Sequence, residues 1–452
     1  MVTTSFVQTR IKKHHPPIST VYKRLFTYYG GSLRLIAKRH NMDRFGMDQL
    51  SLYNHILQLP NPWFTSAVEL IESESSILVT IDYQTKTKFP CPECQELCER
   101  YDTRKRRWRH LDTCQYKTII ESEIPRISCK EHGVLTIQVP WAEQSSRYSI
   151  MFERTVLEWA QECSILSLSR RLRISWNAIN GIMYRGVKRG LERRWEVNCK
   201  HLSVDETCIG KDRAFITILS NSNGQVLAVA DGRSGDSLIQ CLSTIPIHFL
   251  HKVESISLDM SPAYKKGIHT FFGALAKKII SFDHFHIAKM LTAALDQVRK
   301  KEIQRMPSLD RLYFHKTRYT WLRNGQNLDD IETDKLHGLQ ERLTRTATAW
   351  FLKEKAREIW YDYKRTGASK AWKHWIRLAN ESNLKPLISV AETIKSNLRG
   401  IINSMDKGVS NARAEAINRK IKDAGRRASG YRNLERYKTA IIFYFGHLNM
   451  AP

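Results

Sequence analysis

The sequence predicts a multidomain α/β protein: a zinc-binding ribbon, then a small helical domain, then a mixed sheet flanked by helices. Three observations predict this order. Two cysteine-containing knuckles lie early in the chain, helical periodicity with a short break follows, and β-type runs begin at Leu202. The expected parts are a basic extension over residues 1–50, a zinc module over 51–145, a helix-turn-helix domain over 146–198, and a mixed-sheet domain over 199–452 with a helical insertion at about 290–400.

The chain is strongly basic. Its 452 residues include 72 Lys and Arg against 45 Asp and Glu, a net charge of +27. Such a charge favours a polyanionic partner, first of all nucleic acid. With 42% hydrophobic and 26% charged residues, the composition excludes wholesale disorder. No run of about 18 apolar residues occurs, and the basic N-terminus lacks the apolar core of a secretory signal, so we expect a cytoplasmic protein without a membrane span.

Five of the nine cysteines lie between Cys91 and Cys129. An odd number in so long a chain argues against a disulfide framework. Cys91-Pro-Glu-Cys94 and Cys129-Lys-Glu-His132 each place two soft ligands three positions apart, which predicts a tetrahedral Zn²⁺ site. Four protein ligands leave no open position, so this zinc is expected to be structural. The alternatives are buried thiols, or a site that uses Cys98 or Cys114 instead.

A basic run, Arg104-Lys-Arg-Arg-Trp-Arg-His110, lies between the two knuckles. It suits contacts with phosphate groups, and the candidate DNA-binding residues are Arg104, Arg106, Arg107 and Arg109. A solvated surface loop is the alternative.

The helical module shows helix-turn-helix spacing. Helices are expected over Met151–Glu162, Leu166–Leu172 and Trp176–Lys188, with Ser175 as N-cap of the third. That helix would offer base-edge contacts from its exposed face and phosphate contacts from its basic end; the candidates are Asn177, Asn180, Arg185, Lys188 and Arg189. An ordinary three-helix packing unit with a basic exterior remains the alternative.

The β-type runs predict a sheet of order βββαβαβ. They cover Leu202–Val204, Ala214–Leu219, Val226–Ala230, Ile256–Leu258 and Ile279–Phe282. Three strands joined by short turns and two reached through helices indicate a mixed sheet.

Asp205 ends the first run and Asp259 ends the fourth, on strands expected to be neighbours. Two such carboxylates repel each other unless cations lie between them, as in two-metal phosphoryl-transfer sites. Glu415 lies early on a helix expected from Asn411 toward Ala424. That helix and the residues after it carry further candidate phosphate contacts: Arg419, Lys422, Arg426 and Arg427.

Each acid also has a plainer interpretation. Asp205 fits a strand-end turn, Asp259 a cap for the helix at Pro262, and Glu415 a first-turn acid. Glu206 is expected on the opposite sheet face from Asp205. Asp283 is interpreted as a helix cap or an outer ligand, and His284 and His286 as ligands or as ordinary helix-start histidines.

Several strings resemble bacterial insertion-sequence transposases of the ISL-three type. They are Val-Asp205-Glu-Thr, Leu-Asp259-Met-Ser-Pro-Ala-Tyr264, Phe-Asp283-His-Phe-His286 and Asn411-Ala-Arg-Ala-Glu415-Ala-Ile-Asn418. Similar flanking motifs begin at Ile124, Val139 and Arg426, and the match runs from about Tyr53 to the end. Two departures stand out: Ala416 replaces a usual glycine, and residues 1–50 have no recognised counterpart.

The resemblance implies an RNase-H-like core whose catalytic DDE triad is Asp205, Asp259 and Glu415, holding two Mg²⁺ or Mn²⁺ ions. It also implies that the zinc and helix-turn-helix modules bind the element's terminal inverted repeats. The predicted function is cleavage at the element end followed by attack of the freed 3′-hydroxyl on target DNA, in the nucleoid. A homodimer or higher multimer is expected because two ends must be paired. The alternatives are a catalytically silent DNA-binding regulator and a resolvase-like nuclease.

Overall fold

The computed structural model describes residues 48–209, 214–363, 365–409, 412–428, 431 and 433–452. The predicted basic extension over residues 1–50 lies almost wholly outside these residues, and so does Asn411. None of the described helices is long and apolar enough to cross a membrane.

An N-terminal sheet of five strands carries the predicted zinc module. Its strand order is β1-β2-β6-β5, with β7 paired to β6, and a two-stranded β3-β4 ribbon lies beside it. The elements are α1 (Gln49–Leu57), β1 (Trp63–Ile71), β2 (Ser76–Tyr83), β3 (Phe89–Pro90), β4 (Leu97–Cys98), β5 (Arg100–Arg109), β6 (Lys117–Cys129) and β7 (Gly133–Thr136). A core that includes Trp63, Trp108 and Trp141 packs against it.

The structure differs from the sequence-based interpretation of this region in two ways. The apolar spacing of residues 53–71 looks helical, but a single helix from Tyr53 to Ile71 does not form, because Pro60 and Pro62 interrupt the chain and the β-branched and aromatic residues after them pair with β2. The alternative interpretation of the basic run from Arg104 to His110, a solvated surface loop, is wrong, since most of the run forms β5, paired antiparallel with β6.

Three helices follow, close to the predicted bounds: α2 (Ile150–Glu162), α3 (Ile165–Leu172) and α4 (Trp176–Glu192). Each begins at a serine whose side chain accepts a backbone N–H of the first turn, and Ser175 caps α4 as predicted. Arg173 adopts a left-handed conformation that ends α3 and makes the turn into α4.

The second five-stranded sheet has the predicted element order. Strands β8, β9 and β10 are antiparallel, whereas β11 and β12 run parallel to β8, giving the order β10-β9-β8-β11-β12. Its strands and interleaved helices are β8 (His201–Ile209), β9 (Ala214–Asn221), β10 (Val226–Asp231), α5 (Gly235–Ser243), α6 (Ile247–Leu250), β11 (Ser255–Leu258), α7 (Pro262–Phe272), α8 (Ala276–Ile279) and β12 (Ile280–Phe282).

A helical insertion follows β12, as predicted. It consists of α9 (His284–Ile303), α10 (Ser308–His315), α11 (Arg318–Leu322), α12 (Asp330–Arg342), α13 (Thr344–Asp362), α14 (Arg365–Glu381) and α15 (Lys385–Lys407). These helices share one core with the sheet, to which Trp321, Trp372 and Trp375 contribute. Helix α15 packs closely on β12, because a Cβ on Gly400 would lie only 2.4 Å from the Phe282 ring. The insertion is therefore fixed to the sheet edge where β12 ends.

The sequence indicates one last helix that stops at Gly425, but two helices form here, α16 (Ala412–Arg427) and α17 (Leu434–Phe445). Helix α16 continues past Gly425, against which Tyr437 of α17 packs.

The helix-turn-helix segment shares its core with the second sheet. Apolar residues of α2, α3 and α4 lie in one cluster with Ile216 and Ile218 of β9 and with Ile417 and Ile421 of α16. The helices predicted to recognise DNA thus share one core with the helix that carries Glu415.

Candidate metal centres and nucleic-acid interface

The predicted zinc ligands converge on one point. Cys94 Sγ lies 3.7 Å from Cys129 Sγ, while His132 Nδ1 lies 3.8 Å from Cys91 Sγ and 3.6 Å from Cys129 Sγ. A tetrahedral ion with Zn–S bonds of about 2.3 Å and Zn–N bonds of about 2.0 Å requires S···S edges of about 3.8 Å and S···N edges of about 3.5 Å. The four side chains therefore fit a zinc ion.

The surroundings of Cys129 also favour a metal-binding thiolate at that position. Backbone hydrogen bonding from His132, with further help from its side chain, lowers the pKa of Cys129 to about 6. The two cysteines considered as substitutes stay outside the cluster: Cys98 is buried nearby without joining it, and Cys114 is exposed.

Asp205 and Asp259 lie at the same edge of the second sheet. Strand β8 continues to Ile209, so Asp205 lies within the strand and does not end it as predicted. Ser203 of β8 pairs in parallel with Ser257 of β11, so Asp205 and Asp259, each two positions further along, lie level with each other. Asp259 comes directly after β11. Asp205 Oδ1 accepts the Glu206 N–H at 2.7 Å, and Asp259 Oδ1 accepts the Ser261 N–H at 3.0 Å. Ser261, not Asp259, is the N-cap residue of α7.

Burial, with a smaller contribution from the nearby Asp259 carboxylate, raises the pKa of Asp205 to about 6. Hydrogen bonds from the Glu206 backbone and Asn418, together with the charge of His286, act in the opposite direction. An ionised Asp205 is therefore costly here, and a bound cation would relieve that cost.

A second group of candidate metal ligands lies at the same edge. One possible ligand atom each from Asp283, which directly follows β12, His286 on α9 and Glu415 on α16 falls within 4.8 Å of the others. Pairing of Leu258 with Phe282 brings Asp283 level with Asp259. Asp283 is the N-cap residue of α9 but makes no side-chain capping bond. The plainer interpretation of His286, as an ordinary helix-start residue, did not anticipate that it lies beside Asp283 and Glu415.

Helix α16 is held in place by packing and by Asn418. Ala414, Ile417 and Ile421 are buried on its inner side. Asn418 is 7% exposed, donates to the Glu206 carbonyl at 3.5 Å and also bonds Asp205. Glu206 itself interacts with Tyr264 of α7, on the other sheet face as predicted. Glu415, one turn before Asn418, is thereby directed to the sheet edge.

We expect the Asp205→Asn variant without metal to be more stable than the wild type at pH 8, by about 3 kcal/mol for a shift of roughly two pKa units. The folded-state pKa is raised, so in the wild type this group destabilises the fold above about pH 6 and ceases to do so as the pH falls toward 4. The advantage of the variant should shrink over the same range. Chemical denaturation across this pH series measures it.

Exposed Asp330 provides the matched control, and Asp330→Asn should show no such pH-dependent gain. Adding Mg²⁺ or Mn²⁺ should stabilise the wild type more than Asp205→Asn. If Asp205→Asn were less stable than the wild type at pH 8, the inference that ionised Asp205 destabilises the metal-free fold would be contradicted.

Strand β5 presents only part of its basic run to solvent. Arg104 and Arg107 are both exposed, and Arg107 also bonds Glu121 at 2.5 Å. Arg106 lies 5.0 Å from the Trp108 ring and donates to the Ser146 carbonyl at 3.2 Å, and Arg109 is paired with Asp112 and nearly buried. Trp108 is a core residue and is not available for stacking.

Helix α4 differs from the prediction at three positions. Asn180 is 7% exposed and donates to the Trp176 carbonyl at 2.9 Å, so it faces the core. Arg185 is paired with Glu153, and Arg189 is paired with Glu143 and donates to the Met450 carbonyl at 3.0 Å. Arg185 and Arg189 hold the module together, because their partners lie far away in the sequence.

The exposed stripe of α4 consists of Asn177, Tyr184 and Lys188, of which Tyr184 was not predicted. Asn177 accepts a bond from Arg436 at 2.9 Å. On α16, Arg419 and Lys422 are exposed, and Arg426 pairs with Asp423 at 3.1 Å. Arg427 ends the helix, and its side chain lies outside the described residues.

Comparison with known families agrees with this arrangement. A transposase family model of the ISL3 DDE type matches residues 202–441, more than half of the chain. The helix-turn-helix domain of transposase family ISL3 matches residues 137–187. The zinc-finger of transposases IS204, IS1001, IS1096 and IS1165 matches residues 87–132.

Curated relatives agree with the family models. The chain is 24% identical over 351 residues to the transposase for insertion sequence element IS1001 of Bordetella parapertussis, covering 76% of this chain and 86% of the relative. It is also 24% identical over 391 residues to the transposase for insertion sequence element IS1557 of Mycobacterium tuberculosis H37Rv, covering 80% and 87%. With its zinc-finger, helix-turn-helix and DDE segments in the order of the family, the chain belongs to the ISL3 family of transposases.

Proposed function

We propose that this chain is a DDE transposase that cuts DNA at the ends of its own element and joins the freed 3′-hydroxyl to target DNA. The observation that carries the proposal is the convergence of acidic side chains at one sheet edge. Asp205 lies within β8, Asp259 directly follows the neighbouring parallel strand β11, and Glu415 reaches the same edge from α16 beside Asp283 and His286. The relatives are named as transposases for insertion sequence elements.

The strand order supports an RNase-H-like core. Three antiparallel strands, β10-β9-β8, are extended on the β8 side by two parallel strands, β11 and β12. The carboxyl ends of β8, β11 and β12 fall at one edge because these three strands are parallel. Function in this fold then depends on the residues at that edge.

The donor set fits divalent ions. Asp205, Asp259 and Glu415 would hold two Mg²⁺ or Mn²⁺ ions, and we add Asp283 and His286 to the predicted ligands because of their proximity to Glu415. Oxygen ligands suit both ions, and an imidazole nitrogen is better suited to Mn²⁺ than to Mg²⁺. When bound, such ions activate water or the 3′-hydroxyl as nucleophile and stabilise the leaving oxygen.

The protein's own groups position the DNA around this centre. Asn418 holds Asp205 by a hydrogen bond and fixes α16 against β8. Arg419 and Lys422 are exposed on the same helix as Glu415, so they can bind phosphates close to the reacting one. No covalent link between protein and DNA is needed in this scheme.

We assign recognition of the terminal inverted repeats to the zinc module and the helix-turn-helix segment. Arg104 on β5 and the α4 stripe of Asn177, Tyr184 and Lys188 supply the exposed candidate contacts. Asn180, Arg185 and Arg189 are left out because they are buried or ion-paired. Two ends must be brought together for transposition, so the active form is a homodimer or a higher multimer on DNA.

A strand-transfer assay tests the proposal. Purified protein is mixed with Mg²⁺ or Mn²⁺, a labelled duplex containing the inverted repeat that flanks its gene, and a supercoiled target plasmid. We expect cleavage at the repeat end and covalent joining of the label to the plasmid, both abolished by EDTA. Binding without cleavage would indicate a silent regulator, and cleavage of branched DNA without joining would indicate a resolvase-like nuclease.

A further inference from the structure

A cleft of about 460 Å³ lies directly beside the proposed metal centre. Asp283 and Glu415 line it together with residues of α9, α13 and α15. A group held in this cleft is therefore adjacent to ligand atoms that lie within 4.8 Å of one another.

The remaining lining is rich in aromatic side chains. Tyr361 is 64% exposed and Phe285 is 53% exposed, while Trp360 is half-buried. The His284 ring fixes two of them, with its centroid 5.1 Å from Trp360 and 5.3 Å from Tyr361. Aromatic side chains gathered in a concave, partly exposed surface are typical of a binding site for a flat aromatic group.

We propose that this cleft receives one unstacked nucleobase of the cleaved strand, next to the scissile phosphate, and that Trp360 and Tyr361 stack against it. This inference rests on the proposed function, because it takes a DNA end as the substrate. It goes further by assigning a base-binding site that the metal centre does not require.

The depth of the metal ligands gives the physical reason. Asp283 is only 3% exposed, so a phosphate within a regular duplex must approach ligand atoms set below the surface. Moving the flanking nucleotide out of the stack lets the backbone enter, and an aromatic surface replaces part of the lost stacking.

The cations and the aromatic side chains lie on different helices, which fits binding of the DNA backbone by the first and of the base by the second. The exposed cations Arg419 and Lys422 lie on α16 with Glu415, whereas the aromatic side chains come from α9 and α13. Stacking on an aromatic ring accepts any base, since every base has a π-face. The cleft therefore suits a nucleotide that is selected by its position next to the scissile phosphate and not by the identity of its base.

Photo-crosslinking tests the inference on the full chain. The Glu415→Gln variant, which keeps the end uncut, is bound to an end duplex carrying 5-iodouracil beside the scissile phosphate. After irradiation, mass spectrometry should place the crosslink on Trp360 or Tyr361. Tyr361→Ala should lower the crosslink yield, and in the otherwise wild-type chain it should slow end cleavage about 10-fold. Tyr361 is exposed, so this change leaves the fold intact.

Phe351 supplies the control. It is 53% exposed on the same helix α13 but lies outside the cleft, so Phe351→Ala should leave crosslinking and cleavage unchanged. A crosslink elsewhere in the protein, or one formed only when the iodouracil is in the target duplex, would overturn the inference. If crosslinking succeeds while the wild type never cleaves, the proposed function fails and the base-binding site stands.

Discussion

Replacing Glu415 by Gln is expected to slow divalent-dependent end cleavage about 1,000-fold or more, while end binding stays within about twofold of the wild type. Asp205→Asn should do the same. Both changes keep the shape of the side chain and remove one negative charge from the ligand set, so the loss falls on metal binding and on chemistry. The DNA-contacting modules are left untouched.

Cleavage of a labelled end duplex and its retention in a gel measure the two effects separately. Asp423 provides the matched control, because it is an exposed acid on the same helix, two turns after Glu415. Asp423→Asn should cleave at nearly the wild-type rate. If Glu415→Gln or Asp205→Asn cleaved as fast as the wild type, the triad would be wrongly assigned.

Removing zinc should have the second large effect. Cys91 is fully buried beside the other ligands, and structural zinc sites contribute much of the folding free energy of small modules. Cys91→Ser is therefore expected to lose its bound zinc, unfold the zinc module and weaken specific end binding about 100-fold or more, since each lost protein–DNA contact costs roughly 1–3 kcal/mol.

Metal analysis of the purified protein and hydrogen exchange across β5 and β6 measure this outcome. Cys114→Ser is the control, because Cys114 is an exposed cysteine outside the ligand cluster and should keep one zinc per chain. A full zinc content in Cys91→Ser would remove this site from the account.

Features governed by local sequence were predictable. The Cys91–Cys94 and Cys129–His132 spacings fix both knuckles within a few residues, and the four ligands do converge. Ser175 caps α4 as expected, because an N-cap depends only on the first turn. The order βββαβαβ also followed from short apolar runs separated by helices, and it placed Asp205 and Asp259 on neighbouring strands.

Errors arose where distant residues decide the outcome. Arg185 and Arg189 look like free cations in the sequence, but Glu143 and Glu153 from the preceding segment pair with both. Asn180 was taken for a surface residue, whereas its amide bonds the turn before it and faces the core. Strand β5 was missed because a run dominated by Arg and Lys has little apolar alternation, and its pairing with β6 supplies the order.

At the proposed metal centre, too, residues distant in the sequence decide the outcome. In the sequence, a helix start is the plainer interpretation of Asp283 and His286 and a metal site is the alternative, since both need the same residues in the same place. The metal-site interpretation depends on Glu415, which lies close to them in the structure but beyond the whole insertion in the sequence. The pairing register of β11 with β12, which the sequence alone does not give, shows that Asp283 lies level with Asp259.

The most direct test of the central claim is an anomalous difference map from crystals of the protein bound to its end DNA and Mn²⁺. The account predicts two Mn²⁺ ions between the cleaved strand and the carboxylates of Asp205, Asp259 and Glu415, with Asp283 or His286 beside one of them. DNA bound at this edge with no anomalous peak, or with Mn²⁺ held by other residues, would contradict it.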